Sequence, residues 1–527
     1  MLFNSPEFLF AFLPLTLAVF FLLGRFVALG AAKDSLKARA PMLWLVLASL
    51  FFYAWWEWEN LFLLGLSLVV NYRLSQHLIR RKAAGAPDVW ALRAGVVFNL
   101  ALIIWFKYAN FFAGAAGALV GEQWHLGNII LPLAISFFTF QQISYLVDGH
   151  RGQVAACHWL DYAMVVTFFP HLIAGPIVRY QQVLPQFQQP GVFQFDANRI
   201  GAGLTLFVLG LTKKMLFADS IAPYANLAFD AAAQGTVLTF TEAWVGALSY
   251  TCQLYFDFSG YSDMAIGLAW MFGIRFGLNF NSPYKSRSIQ EFWRRWHMTL
   301  SAFLRDYLYI ALGGNRHGEG RRQINLFLTM LLGGLWHGAG WTFVIWGALH
   351  GSYLMVNHYW RDLTARWGYT DEKPLLPTAL AWTITMLAVV VAWVLFRAVN
   401  LDAAGSILAS MIGLNGLDLP NFLVGPLGFL KDYGVGFNGF TANVGIAQKY
   451  SIAGIVVLLF IAVALPNTQQ IMGRFNPALD KVQQLTAGLA ARCTWQPGVV
   501  WSAVAGALFA LCVLCLTRVS QFIYFQF

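Results

Sequence analysis

The chain has 527 residues, 58% of them hydrophobic and only 11% charged, against roughly 25% charged in an average soluble domain. That composition excludes a soluble multidomain enzyme, a disordered chain and a coiled coil. The net charge of +10 is not interleaved with groove-reading motifs, so it reads as Lys and Arg in cytoplasmic loops of a membrane protein, with no nucleic-acid partner.

The first apolar stretch, about Phe8 to Leu23, has no basic region before it and no small-residue cleavage site after it. It reads as a membrane helix rather than a removed signal. Arg25, Lys33, Lys37 and Arg39 follow it and mark a cytoplasmic loop, which puts the N-terminus outside. Pro41 to Trp56 runs out to a turn holding Glu57 and Glu59. Leu61 to Tyr72 returns to a loop with Arg73, Arg80, Arg81, Lys82 and Arg93. Ala94 to Phe106 goes out, and Ile129 to Val147 comes back near Arg151. The alternation holds over five crossings. Further on, Leu380 to Phe396 leads out to a Gly-rich, weakly charged stretch from Val399 to Gln448. Ile452 to Leu465 returns, and Val499 to Leu516 leaves the tail, Arg518 to Phe527, on the outer side. The pattern predicts an all-α polytopic membrane protein in one domain, with about ten to fourteen membrane helices, several of them short or re-entrant. The inverted repeat of many transporters is missing.

The five cysteines, Cys157, Cys252, Cys493, Cys512 and Cys515, are scattered and form no disulfide or zinc pattern. No metal site is expected.

Two adjacent stretches break the pattern. Residues 285–322 hold eight Lys or Arg and three acids, whereas residues 323–360 hold no charge at all but contain His337, His350 and His358. The first opens with Ser288-Ile-Gln-Glu291, a capping box. On one continuous helix Trp293, His297 and Ser301 would share a face, and Glu291 would pair with Arg295. The plain alternative is an amphipathic surface helix with snorkelling arginines. The second stretch places four glycines within residues 333–340. These permit close backbone approach and mark a broken helix, tolerated at membrane depth only where protein or a cavity covers it. An ionisable residue there is a functional candidate by default, which singles out His337. His350 would face away from it on a continuous helix. A neutral imidazole can take a proton from an attacking hydroxyl. No nucleophile elbow, phosphate loop, dinucleotide fingerprint or zinc-protease helix is present. Asp257 and Asp263 sit in an apolar helix and must be paired; either would orient a histidine or Arg305.

These residues resemble the membrane-bound O-acyltransferase family, in particular its bacterial branch that acetylates exported polysaccharides. The resemblance runs in order through Phe51-Phe-Tyr-Ala-Trp-Trp56, Phe106-Lys-Tyr-Ala-Asn-Phe111, Ile135-Ser-Phe-Phe-Thr-Phe140, Phe169-Pro-His-Leu-Ile-Ala-Gly-Pro176 and Gln253 to Met264. It continues through Glu291-Phe-Trp-Arg-Arg-Trp-His297, Leu304 to Tyr309, Leu312 to Arg316 and Gly333-Gly-Leu-Trp-His-Gly338. It implies a ring of membrane helices around a central funnel, with residues 285–360 as catalytic core. His337 would be the catalytic histidine beside Trp336, and His297 the second family histidine. Arg294, Arg295 and Lys285 become candidates for the phosphates of an acetyl-CoA donor. The aromatic tail, residues 518–527, resembles a motif whose tyrosine relays the acyl group, which makes Tyr524 a candidate relay. The resemblance further implies a bacterial inner-membrane location, where the loop charges put both termini on the periplasmic side. It implies a periplasmic acetylesterase-like partner and a polysaccharide export machinery. Cellulose-type and alginate-type acceptors fit equally. D-alanyl transfer by the same fold, and a transporter, are the rival readings.

Overall fold

The structure is a computed structural model that describes residues 1–28, 36–370, 373–437, 448–482, 485, 492–517 and 522–523. Among the described residues there is no strand, only two isolated bridges, and the architecture is helical throughout. Among the described residues, four helical stretches are long and apolar enough to cross a membrane: Phe8–Val27, Val89–Leu119, Ala197–Ala233 and Thr378–Arg397. Ala38–Ala54, Leu401–Met411, Tyr450–Ala464 and Val499–Leu514 are shorter apolar helices. The chain forms two compact units, one of residues 1–211, 261–279 and 468–519, the other of residues 212–260, 280–467 and 520–527.

The first unit has an aromatic core. The rings of Phe8, Phe12, Phe52 and Phe169 pack, mostly edge-on or tilted, within 5.2–6.1 Å of one another. Its helices are tied by buried polar pairs. Asn71 and Asn99 exchange amide hydrogen bonds at 3.2 and 2.6 Å. Gln142 donates to Ser67 at 2.8 Å and accepts from the Tyr162 hydroxyl at 3.0 Å. Such contacts substitute for the hydrophobic driving force that lipid cannot supply. Asp263 belongs here and accepts from Thr468 at 2.5 Å and Gln469 at 2.9 Å.

Helix limits differ from the sequence expectation in two places. The Asn60–Ala83 helix continues through Arg80, Arg81 and Lys82 instead of ending near Tyr72. Cations in a last turn complement the helix dipole, so they extend the helix rather than end it. The helix expected from Ile129 begins only at Ile135. Pro132 precedes it, and Ala134 takes a left-handed conformation (φ +59°) at its cap.

In the second unit, the Gly318–His337 and Trp341–Arg366 helices form an antiparallel pair. A Cβ on Gly334 would lie 2.4 Å from the Phe343 carbonyl oxygen, and one on Gly347 would lie 2.6 Å from the Met330 carbonyl oxygen. Glycine is therefore what lets these backbones meet. The stretch after Val399 opens with a helix, Leu401–Met411, capped by Asn400, whose side chain accepts from the Ala403 amide at 2.8 Å.

Candidate active site

The site grows out of the break between those two helices. Gly338 and Gly340 are extended (φ −160° and −164°), so the helix stops at His337 and the chain reverses within three residues. The break expected from the glycines is present, and it changes the place of His350. The two histidines lie on antiparallel helices and share Trp346. The His337 ring is 5.3 Å from Trp346, and the His350 ring is 4.8 Å from it. His350 thus joins the cluster instead of facing away from it. The expectation failed because it assumed one continuous helix.

A small cavity of about 10 Å³ opens beside His337, lined otherwise by Leu254, Phe258, Trp296, Trp346, Trp393 and Phe396. His337 is the only titratable side chain on this wall, and it is 7% exposed. Phe396 lies 5.1 Å from its ring and Trp336 lies 4.9 Å from it. Trp336 also lies 6.4 Å from His297, so this indole bridges the two sequence-marked histidines. Edge-to-face geometries of this kind fix ring orientation and contribute about 0.5–1.5 kcal/mol per pair.

His297 reaches its place by a route the spacing did not show. The expected continuous helix from Phe292 is divided into Ile289–Arg295 and Met298–Phe303. The Asn281 amide takes the Arg295 carbonyl at 3.0 Å, and the Arg295 side chain donates back to the Asn281 carbonyl at 3.2 Å. The exchange ties the end of the first helix to Asn281, and Trp296 leaves helical geometry there (φ −103°, ψ 127°). His297 then takes a left-handed conformation (φ +43°), 1% exposed, with its ring edge-on to Phe258 at 4.8 Å. A non-glycine residue held there costs of order 1–3 kcal/mol and persists only where its surroundings over-determine it. Trp293, His297 and Ser301 therefore do not share one helix face. Ser301 instead donates to the Trp293 carbonyl across the break at 3.4 Å.

The basic helix is tied down by its own polar groups. Ser288 accepts from the Glu291 amide at 3.1 Å, while the Glu291 carboxylate accepts from the Arg287 amide at 2.8 Å, one residue earlier than a capping box requires. Glu291 also pairs with Arg295 at 2.9 Å, as expected. Trp293 donates to His350 Nδ1 at 3.3 Å, docking this helix on the histidine pair. Lys285 donates to the Leu465 carbonyl at 2.7 Å. Its ammonium is shifted below the usual lysine value by desolvation and then by the nearby Arg295. Arg294 is exposed.

Neither marked carboxylate serves Arg305, which Asp306 binds at 2.6 and 3.1 Å. Asp257 instead pairs with Lys214 at 2.6 Å, and Lys214 also holds Asp219 at 2.8 Å. The second oxygen of Asp257 accepts from the Ile523 amide at 3.1 Å. Tyr524 lies outside the described residues. Among the described residues, no three His, Cys, Asp or Glu side chains are grouped as a metal site requires.

A family profile described as MBOAT, the membrane-bound O-acyltransferase family, matches residues 152–396. The chain is 44% identical to a peptidoglycan O-acetyltransferase of Helicobacter pylori over 80% of its own length and 81% of that protein. It is 44% identical to a probable alginate O-acetylase of Pseudomonas aeruginosa over 81% of its own length and 79% of that protein. The chain belongs to the membrane-bound O-acyltransferase family. It is a multi-pass membrane enzyme that transfers acyl groups to oxygen. A teichoic acid D-alanyltransferase of Bacillus subtilis is more distant, at 28% identity over 50% of this chain and 66% of that protein. The matched residues of this O-acyltransferase include the whole wall of the His337 cavity, whereas Phe522 and Ile523 lie beyond them.

Proposed function

We propose that the protein is an O-acetyltransferase of the bacterial inner membrane that moves acetyl groups from cytoplasmic acetyl-CoA toward hydroxyls of an exported polysaccharide, with His337 as general base. The observation that carries this is one titratable side chain, His337, on an otherwise apolar and mostly aromatic cavity wall at a helix break. In a site that excludes water, a neutral imidazole takes the proton of an attacking hydroxyl. The hydroxyl oxygen bonds to the acetyl carbon, the carbon–sulfur bond breaks, and the imidazolium returns the proton to the CoA thiolate. Trp336 and Trp346 hold the imidazole plane, and His297 lies 6.4 Å from Trp336.

In this reading Arg294, Arg295 and Lys285 attract the donor phosphates at the cytoplasmic end. Tyr524 is the hydroxyl that carries acetyl outward to a serine of a periplasmic acetylesterase-like partner working with the export machinery, and both termini are periplasmic. Relatives named for alginate and for peptidoglycan support a glycan acceptor, and an alginate- or cellulose-type polymer is the acceptor proposed.

The test is His337→Ala, with purified protein incubated with labelled acetyl-CoA. Expected is loss of thioester cleavage and of polymer acetylation at unchanged protein level. Full activity in that variant refutes the assignment. If the wild type cleaves only a carrier-bound D-alanyl thioester, the acetyl reading is replaced by D-alanyl transfer.

A further inference from the structure

Two neighbouring residues of the Phe240–Met271 helix grip two neighbouring residues near the C-terminus. Asp257 accepts the Ile523 amide hydrogen at 3.1 Å. Phe258 packs edge-on against Phe522, with ring centroids 6.1 Å apart. Phe522 and Ile523 are 1% and 4% exposed, so this segment is seated in the protein and does not lie on its surface. Asp257 is itself 1% exposed and is kept in place by Lys214 at 2.6 Å, whose ammonium is shared with Asp219. Phe258 also lies 4.8 Å from His297, edge-on, and forms part of the wall of the His337 cavity. A continuous line of contacts therefore runs from the buried ion pair through the seated segment and Phe258 to the histidine cavity.

We propose that Asp257, fixed by Lys214, is a positioning residue that anchors the 522–523 segment against Phe258, and that the seated segment holds this wall of the histidine cavity in its working position. The inference uses the O-acyl transfer activity as its readout. It does not depend on Tyr524 being the relay. A backbone amide bonded to a carboxylate makes a charge-assisted hydrogen bond. Losing one weakens seating roughly tenfold to a hundredfold. Asp257→Asn retains a carbonyl acceptor for Ile523 and loses only the charge assistance. Asp257→Leu offers none and leaves Lys214 to Asp219. Ile523→Pro deletes the donor and leaves the ion pair intact.

The experiment is hydrogen–deuterium exchange of the C-terminal peptide in nanodisc-embedded protein, alongside labelled acetyl transfer at saturating acetyl-CoA. Asp257→Leu and Ile523→Pro should each speed exchange of this peptide roughly tenfold or more and lower kcat by a similar factor, with the donor KM within about twofold. Asp257→Asn should keep most of the protection and turnover. Unchanged exchange in both Asp257→Leu and Ile523→Pro overturns the anchor. Faster exchange with unchanged kcat overturns the link to the cavity. If Asp257→Leu does not fold, Ile523→Pro alone decides. Tyr524→Phe separates the two readings: its full activity removes the relay and leaves exchange at 522–523, and so the anchor, to be judged as before.

Discussion

Replacing Gly338 by alanine tests how tightly the helix break sets the His337 ring. The backbone there is extended, φ −160°, a conformation any residue adopts, so the substitution brings no conformational strain of its own. The obstacle is steric. An added Cβ lies 2.1 Å from one edge carbon of Phe343, where ordinary contact begins at 3.4 Å. The ring has to retreat by about 1.3 Å. Phe343 lies 5.2 Å from Phe396, and Phe396 lies 5.1 Å from His337 and lines the same cavity. Displacing Phe343 therefore pushes on the wall that orients the imidazole. A misplacement of about 1 Å in a reacting geometry costs on the order of a hundredfold in rate. Overpacking of this size costs about 1–3 kcal/mol of stability. Labelled acetyl transfer by Gly338→Ala should fall about a hundredfold, with a modest drop in thermal midpoint in detergent. Adding Phe343→Ala removes the clash and should recover much of the rate. Wild-type activity in Gly338→Ala, or no recovery in the double variant, refutes the claim that Phe343 transmits the strain.

Two further outcomes follow from charges away from the histidines. Lys214→Met leaves Asp257 without its cation in a buried site, and breaking such a pair costs about 3–5 kcal/mol; thermal unfolding in detergent should show a large fall that Asp257→Asn partly reverses. Asp88 caps the Val89–Ile103 helix by accepting from the Ala91 amide at 3.0 Å; that bond first, then His77, holds its carboxyl below the ordinary aspartate value of 3.8. A depressed carboxylate stabilises the folded form above the unfolded pKa, and the gain disappears as pH falls through the folded value. Corrected for the intrinsic pH dependence of amide exchange, protection of the first-turn amides should therefore fall on acidification below about pH 3.8, and that fall should be missing in Asp88→Asn.

The membrane class and the catalytic candidate were legible in the sequence because both rest on residue type. An apolar run must bury its backbone polar groups in a helix wherever it lies, and a histidine in such a run stands out whatever surrounds it. Partners were not legible. The need for Asp257 to be paired follows from burial, but its cation comes from Lys214 and its remaining acceptor goes to Ile523, 266 positions away. The spacing of Trp293, His297 and Ser301 is periodic, yet the helix it implies ends where Trp296 turns extended and Asn281 bonds the Arg295 carbonyl, and no local pattern announces that contact. The same assumption of continuity turns His350 away from the site, whereas the glycines at 338 and 340 reverse the chain. Where a run of glycines interrupts an apolar helix, phase arguments hold only up to the interruption. Beyond it, residues return on a partner helix, and a side chain that a helical wheel sends away can meet the site face to face, as His350 does across Trp346.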